Sequence, residues 1–258
     1  MNVLQSLIEL SNSQSLDNIY RDIANQILGN LDQMKRVTIY DLADMTHSSR
    51  TTIWRLVQKL GYNSFSDFRH ALQSASSQYT YYNRLVPSNT ASSQHLLSHI
   101  EGELHKAAEV ISDKLSISAI DEMVDELMGA GKIHFYMPYR LAVIYSFQIN
   151  LSKCGKETSY ICLIPDMLEE IETLDENSIV FINTIEYAET LDMEEVFIKL
   201  KEKGVRIWLS GESESQYISY ADRHILDVSL SPSSWLFTYE ALIIALSERL
   251  RGRHINRK

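Results

Sequence analysis

The chain has 258 residues, 45% of them hydrophobic and 22% charged, enough for one large domain or two smaller ones. Only 9 glycines and 4 prolines exclude a collagenous or low-complexity chain. The net charge of −10 is unevenly placed, with 7 Lys/Arg against 7 Asp/Glu over residues 1–78 and 17 against 27 over residues 79–258. That excludes a nonspecific nucleic-acid coat, but leaves room for a small neutral module whose basic residues share one face. No apolar run approaches the ~18 residues that span a bilayer, and the N-terminus has no basic segment leading into an apolar one, so neither a membrane partner nor a secretion signal is expected. Cys154 and Cys162 make neither a metal spacing nor a disulfide framework. A reducing, cytoplasmic location fits all of this, with no cofactor and no metal.

In chain order, the first segment reads helical. Leu16, Ile19, Ile23, Ile27 and Leu28 recur at helical spacing, and Gly29-Asn30 is a stop. Thr38 is an N-cap, with Asp41 three residues on as an acidic form of the capping box. Leu42 and Met45 give one apolar face and Ile53, Leu56, Val57 and Leu60 the next. Between them Thr46-His47-Ser48 is a polar break of turn length. Ser49 caps the second helix and Gly61 ends it. Phe65 and Phe68 open a further helix. Residues 78–93, rich in Ser, Asn and Tyr, read as a linker between a domain over 1–77 and another over 94–258.

The second domain alternates types: helices at 96–111 and 120–128, a strand at 132–137, a helix at 141–153, strands at 158–163 and 178–183, a helix at 193–203, strands at 205–209 and 223–230, and a long helix at 235–251. Such alternation predicts a doubly wound α/β domain, a parallel sheet covered on both faces. Ligands then bind outside the carboxyl ends of the strands, at the loops after Met137, Asn183 and Leu209.

Leu42-Ala43, the turn, and Ser49 to Leu60 make a helix-turn-helix pattern. Thr52 and Ile53 face the partner helix. Ser49, Arg50, Thr51, Trp54, Arg55, Gln58 and Lys59 face outward, with donors for phosphates and base edges. The stretch LADMTHSSRTTIWRLVQKLGYNSFSDFRHAL, above all KLGYNSFSDF from Lys59 to Phe68, resembles the N-terminal domain of the RpiR family of bacterial transcriptional regulators. The order of parts is similar too: a helix-turn-helix domain, a linker, then an α/β sugar-isomerase (SIS) domain. That resemblance implies DNA contacts from Ser49, Thr51, Arg55 and Lys59. With Thr38, Arg50 and Gln58 these are the candidate DNA-binding residues, Arg50 being placed to reach a base edge. Where that family usually has Gly and Val in the turn, this chain has His47 and Ser48, and a left-handed residue there tolerates His at modest cost.

SIS domains that bind sugar phosphates hold the anion with a Gly-rich, Ser-containing loop after the first strand and a Ser-rich loop after the third. Here the first loop reads Tyr136-Met137-Pro138-Tyr139-Arg140 and the other runs from Asn183 to Thr190, with carboxylates at Glu186 and Glu189 that repel a phosphate. Tyr139, Arg140, Asn183, Thr184, Glu186 and Thr190 are the candidate ligand residues of a modified site. Pairing of Arg140 with Glu186 or Glu189 in a disused cleft is the plainer alternative, and a neutral or cationic ligand is a third. His95, His99 and His105 with Glu101 and Glu103 read as a solvated helix face rather than a metal site. The pair Glu169 and Glu170 reads as surface charge. Arg249, Arg251, Arg253, Arg257 and Lys258 suit either a phosphate contact or a helix C-terminus.

The expected function is a homodimeric (or tetrameric) transcriptional regulator rather than an enzyme. It would bind an operator in double-stranded DNA and take a small-molecule effector in the second domain. A sugar-phosphate isomerase and a protein-interaction module are the alternatives. Helices 96–111 and 235–251 are the candidate dimer contacts.

Overall fold

The computed structural model describes residues 3–12, 18–82, 88–137, 140–162, 164–184, 193–211, 215–227 and 230–255. The chain divides into two compact units, residues 1–83 and 84–258. Among the described residues no helix is long and apolar enough to cross a membrane.

The first unit is helical: α1 (Val3–Asn12), α2 (Asn18–Gly29), a 3-10 turn (Leu31–Arg36), α3 (Ile39–Met45), α4 (Arg50–Lys59) and α5 (Phe65–Tyr82). Helix α5 continues past the position at which composition begins to read as linker. Leu4 and Leu7 of α1, Ile23 and Ile27 of α2, Leu42 of α3, Ile53, Leu56 and Val57 of α4 and Phe68 and Leu72 of α5 converge on one core. Burying each such side chain contributes about 1.5–3 kcal/mol, against about 0.5–2 kcal/mol for a helix cap, so together they outweigh the caps.

The second unit begins with α6 (Ser88–Ala91), α7 (Leu96–Lys114) and α8 (Ile117–Gly129). The elements β1 (Lys132–Tyr136), α9 (Ala142–Lys153), β2 (Glu157–Ile161), α10 (Ile164–Ile171), β3 (Ser178–Asn183), α11 (Glu194–Glu202), β4 (Arg206–Gly211) and β5 (Arg223–Asp227) follow. Helix α12 (Pro232–Leu250) and a π-helical turn (Arg251–Ile255) complete it. Helix α10, at 8 residues, is absent from the sequence reading: it is too short to show a full helical repeat.

The five strands are parallel in the order β2-β1-β3-β4-β5. Strand β3, at the centre, is buried along its whole length, as a sheet covered on both faces requires. One face packs on α10 and α11 through Tyr136, Val180, Ile182, Ile207 and Leu209, against Met167, Ile171, Val196, Phe197 and Leu200. The other carries an aromatic row at one register: Tyr160, Phe135, Phe181 and Trp208 on β2, β1, β3 and β4. Their ring centroids lie 6.2, 5.0 and 4.9 Å apart in turn. Phe147 of α9 packs edge-on to Phe135 at 5.9 Å. Arg223 of β5 ends the row with its guanidinium 5.5 Å from the Trp208 ring.

Helix α12 packs against α7, α8 and α9 and is largely buried. Its N-terminus rests on Glu103 of α7, only 3% exposed. Ser234 Oγ donates to Glu103 Oε2 at 2.6 Å, the Ser231 hydroxyl reaches the same oxygen, and Lys106 Nζ lies 2.7 Å from Oε1. Glu103 is therefore no part of a solvated face: it closes the start of a 19-residue helix, where a negative charge offsets the dipole. The basic residues at the other end are also used internally. Arg249 holds Asp121 with two bonds, of 2.6 and 2.8 Å, and Arg253 bonds Asp121 at 3.0 Å and Asp125 at 2.7 Å. Arg257 and Lys258 lie outside the described residues.

Candidate DNA-binding face and ligand crevice

Local chemistry shapes the helix-turn-helix. Thr38 accepts from Asp41 N at 3.2 Å while its own N–H donates to Asp41 Oδ2 at 2.8 Å, a complete capping box. These bonds hold the Asp41 carboxyl below its usual range. Helix α3 ends with Ser48 N donating to Ala43 O at 2.9 Å across His47, whose φ is +48°. Thr46 Oγ1 donates to Leu42 O at 2.7 Å inside the turn. Helix α4 starts on Ser49, whose Oγ accepts from Thr52 N at 3.1 Å. It ends with Tyr62 N donating to Val57 O at 3.1 Å across Gly61, whose φ is +85°.

This frame fixes the faces of α4. Ile53, Leu56 and Val57 are fully buried, and Trp54 packs half-buried against the same core. Ser49, Arg50, Thr51, Arg55, Gln58 and Lys59 are all exposed. Thr38 is exposed too, although its hydroxyl is occupied by the capping box. One residue the sequence reading passed over joins this surface. Tyr40, on the first turn of α3, is 59% exposed and carries the Arg50 guanidinium over its ring, 4.7 Å from the centroid. The available signal was an aromatic residue in a first turn whose neighbours Leu42 and Ala43 already supply the buried face.

In the second unit, strand order reverses between β1 and β3, and the crevice of such a sheet opens at their carboxyl ends. Asn183 and Thr184 stand there, both buried. Thr184 N donates to Ser210 O at 3.0 Å, and Ser210 Oγ donates to Ile182 O at 3.3 Å, so the ends of β3 and β4 are tied together. Gly211 follows, and a methyl group there would press into Thr184 Oγ1. Thr184, Asn183, Ser210 and Gly211 thus form one group. Arg140 leans toward β2 and α9: it donates to Tyr145 Oη at 3.1 Å and lies over the Tyr160 ring, 5.5 Å from its centroid. Tyr160 Oη accepts from Leu141 N at 2.7 Å at the start of α9, and burial pushes its phenol above the ordinary value. The candidates Tyr139, Glu186 and Thr190, with Glu189, lie outside the described residues.

A second polar group lies beneath the crevice. His134 of β1, 2% exposed, has Nδ1 2.6 Å from Ser159 Oγ and 3.2 Å from Glu170 Oε1. Burial acts to raise the Glu170 carboxyl, but bonds with His134 and Ser159 outweigh it and hold it below the usual range. Glu170 is therefore a half-buried partner of the sheet, not free surface charge. His95 and His105 are exposed. Among the described residues no group of three His, Cys, Asp or Glu side chains could hold a metal ion.

Residues 1–79 match the model of the helix-turn-helix domain of the rpiR family. The whole chain is similar in fold to the NanR protein of Vibrio vulnificus, solved in complex with ManNAc-6P. The match has 18% identity and a TM-score of 0.50, over 99% of this chain and 93% of that one. The sugar isomerase domain of an RpiR transcription factor from Sphaerobacter thermophilus is similar at 17% identity and a TM-score of 0.51, over 64% of this chain and 94% of that one. No curated protein matches the chain in sequence. Residues 1–79 are thus a helix-turn-helix domain of rpiR-family type, and the second unit has the fold of a sugar isomerase (SIS) domain.

Proposed function

We propose that this protein is a transcriptional regulator that binds a two-fold related operator as a homodimer, with the exposed face of α4 in the major groove, and that its SIS-type domain senses a sugar-phosphate-like metabolite. The observation that carries the DNA reading is the division of α4 into a buried face, Ile53, Leu56 and Val57, and an exposed face of hydroxyl, amide and cationic groups. Thr51, Arg55 and Lys59 contact phosphates, Ser49 lies beside them at the helix N-terminus, and Arg50 and Gln58 reach base edges. One such module touches few phosphates, so two half-sites are needed for useful affinity. The second unit supplies the pairing. Helix α7 leaves Leu97 77% and Leu104 48% exposed. Helix α12, read from sequence as an equal candidate, leaves Ile244 as its exposed large apolar residue.

The effector site is the crevice at β1 and β3, with Asn183 and Thr184 at its floor; Arg140, Tyr139, Glu186 and Thr190 are the further candidates for contact with the ligand. The NanR complex with ManNAc-6P supports a sugar-phosphate ligand class. The loop after β1, without Gly or Ser, argues for a phosphate held differently from the usual cradle. The protein is not an enzyme and works in the cytoplasm. Turnover of an aldose or ketose phosphate by the purified protein would overturn this. Titration of sugar phosphates, unphosphorylated sugars and buffer alone against the operator complex tests the effector. A shift in operator affinity with phosphorylated sugars supports sensing, and no shift with any of them rejects it.

A further inference from the structure

Arg50 is the first residue of α4, directly after the cap Ser49. A cation at that end opposes the helix dipole, and the first turn contains no acidic residue to offset it. Among the described residues no carboxylate pairs with it. What holds it is Tyr40, across the turn on α3, whose ring lies 4.7 Å from the guanidinium carbon. Tyr40 itself is 59% exposed and adds nothing to the core. Neither residue therefore sits where stability would place it.

We propose that Tyr40 is a positioning residue for DNA recognition: its ring holds the Arg50 guanidinium so that the edge of the fork is presented to a guanine. This rests on the DNA-binding reading above and names a specificity device within it. A ring engages the face of a guanidinium and leaves its five in-plane N–H donors free. A guanine offers O6 and N7 to two of those donors in the major groove. An unsupported arginine must give up much of its rotamer freedom on binding, and the ring removes part of that loss beforehand. The partner is a G·C pair near the end of each half-site, read by Arg50 and ordered by Tyr40.

The test uses the full chain and an operator selected from genomic DNA, with every base pair substituted in turn. Wild type and Tyr40→Phe should bind alike, because both keep the ring. Tyr40→Leu should bind about two- to tenfold more weakly, and its loss of discrimination should fall on the base pair lost by Arg50→Ala. The double variant should be no weaker than Arg50→Ala alone. Equal binding by Tyr40→Leu and wild type, additive losses, or a loss in Tyr40→Phe, which would mean direct contact by the hydroxyl, overturns the proposal. A second readout needs no DNA. The Arg50 δ-methylene protons should be shifted upfield by the ring current in wild type and Tyr40→Phe, and not in Tyr40→Leu. Absence of that shift in wild type refutes the stack, whereas its presence with no operator recovered refutes the DNA reading instead.

Discussion

His47 and Gly61 hold the same backbone conformation at the ends of consecutive helices, with φ of +48° and +85°. Each is bridged by a bond from the following residue to the carbonyl five positions back, Ser48 N to Ala43 O and Tyr62 N to Val57 O. Gly155 and Gly204 end α9 and α11 in the same way. His47 therefore stands in a glycine position, where a side chain costs about 1 kcal/mol. His47→Gly should stabilise the first unit by about 0.5–1 kcal/mol, and Gly61→Ala should destabilise it by a similar amount. Denaturant unfolding of the full chain, followed through Trp54 fluorescence, checks both signs.

Acid should weaken the second unit through Glu103. Its burial works to raise the carboxyl, but bonds from Lys106, Ser231 and Ser234, with the Lys106 charge, outweigh this and hold its pKa at about 2. A carboxyl lowered by folding stabilises the fold above its unfolded value, near 4.5, and that contribution fades as pH falls toward 2. The stabilisation at neutral pH is roughly 2–3 kcal/mol. Glu103→Gln should lose most of it at pH 7 and differ little from wild type near pH 2, as read by urea midpoints across that range.

Gly211→Ala should cost about 1–3 kcal/mol, because a methyl group meets Thr184 Oγ1 in a buried setting. The thermal midpoint of the second unit should drop by several degrees, about 2–4 °C per kcal/mol at this size. Gly129→Ala, where nothing lies within 4 Å of the added carbon, is the control and should not be destabilising.

Arg55 and Lys59 face outward from α4 with their charges exposed. Replacing either with alanine should weaken binding at every DNA sequence alike, with the slope of log affinity against log salt falling by about one per lost phosphate contact. Melting temperatures should stay unchanged. A loss confined to particular base pairs would assign these side chains to base edges instead.

The helix-turn-helix was legible because its signals are local. Thr38 with Asp41, Ser49 with Thr52 and Gly61 lie within three or four residues of the groups they satisfy, and the apolar residues of α4 keep helical spacing. The parallel sheet was legible from the alternation of apolar runs with amphipathic helices. What escaped depends on residues far apart in the chain. Glu103 looks solvated until Ser231 and Ser234, 128 and 131 positions later, close over it. Glu170 looks like surface charge until His134 of β1 meets it. Tyr40 and Arg50 are ten residues apart and meet only because the turn at His47 brings α3 and α4 together. At the crevice, Asn183 and Thr184 stand at the strand end that the sequence indicates, whereas Arg140 turns toward Tyr160 and Tyr145, a preference set by aromatic neighbours from β2 and α9.

The central claim, a dimeric and sequence-specific regulator, is tested most directly by selecting fragments of genomic DNA on the purified full-length protein at two salt concentrations. The expected result is a shared, two-fold related motif that survives the higher salt. Sequence-random fragments that are lost on adding salt, or a single half-site with no symmetric partner, would contradict it.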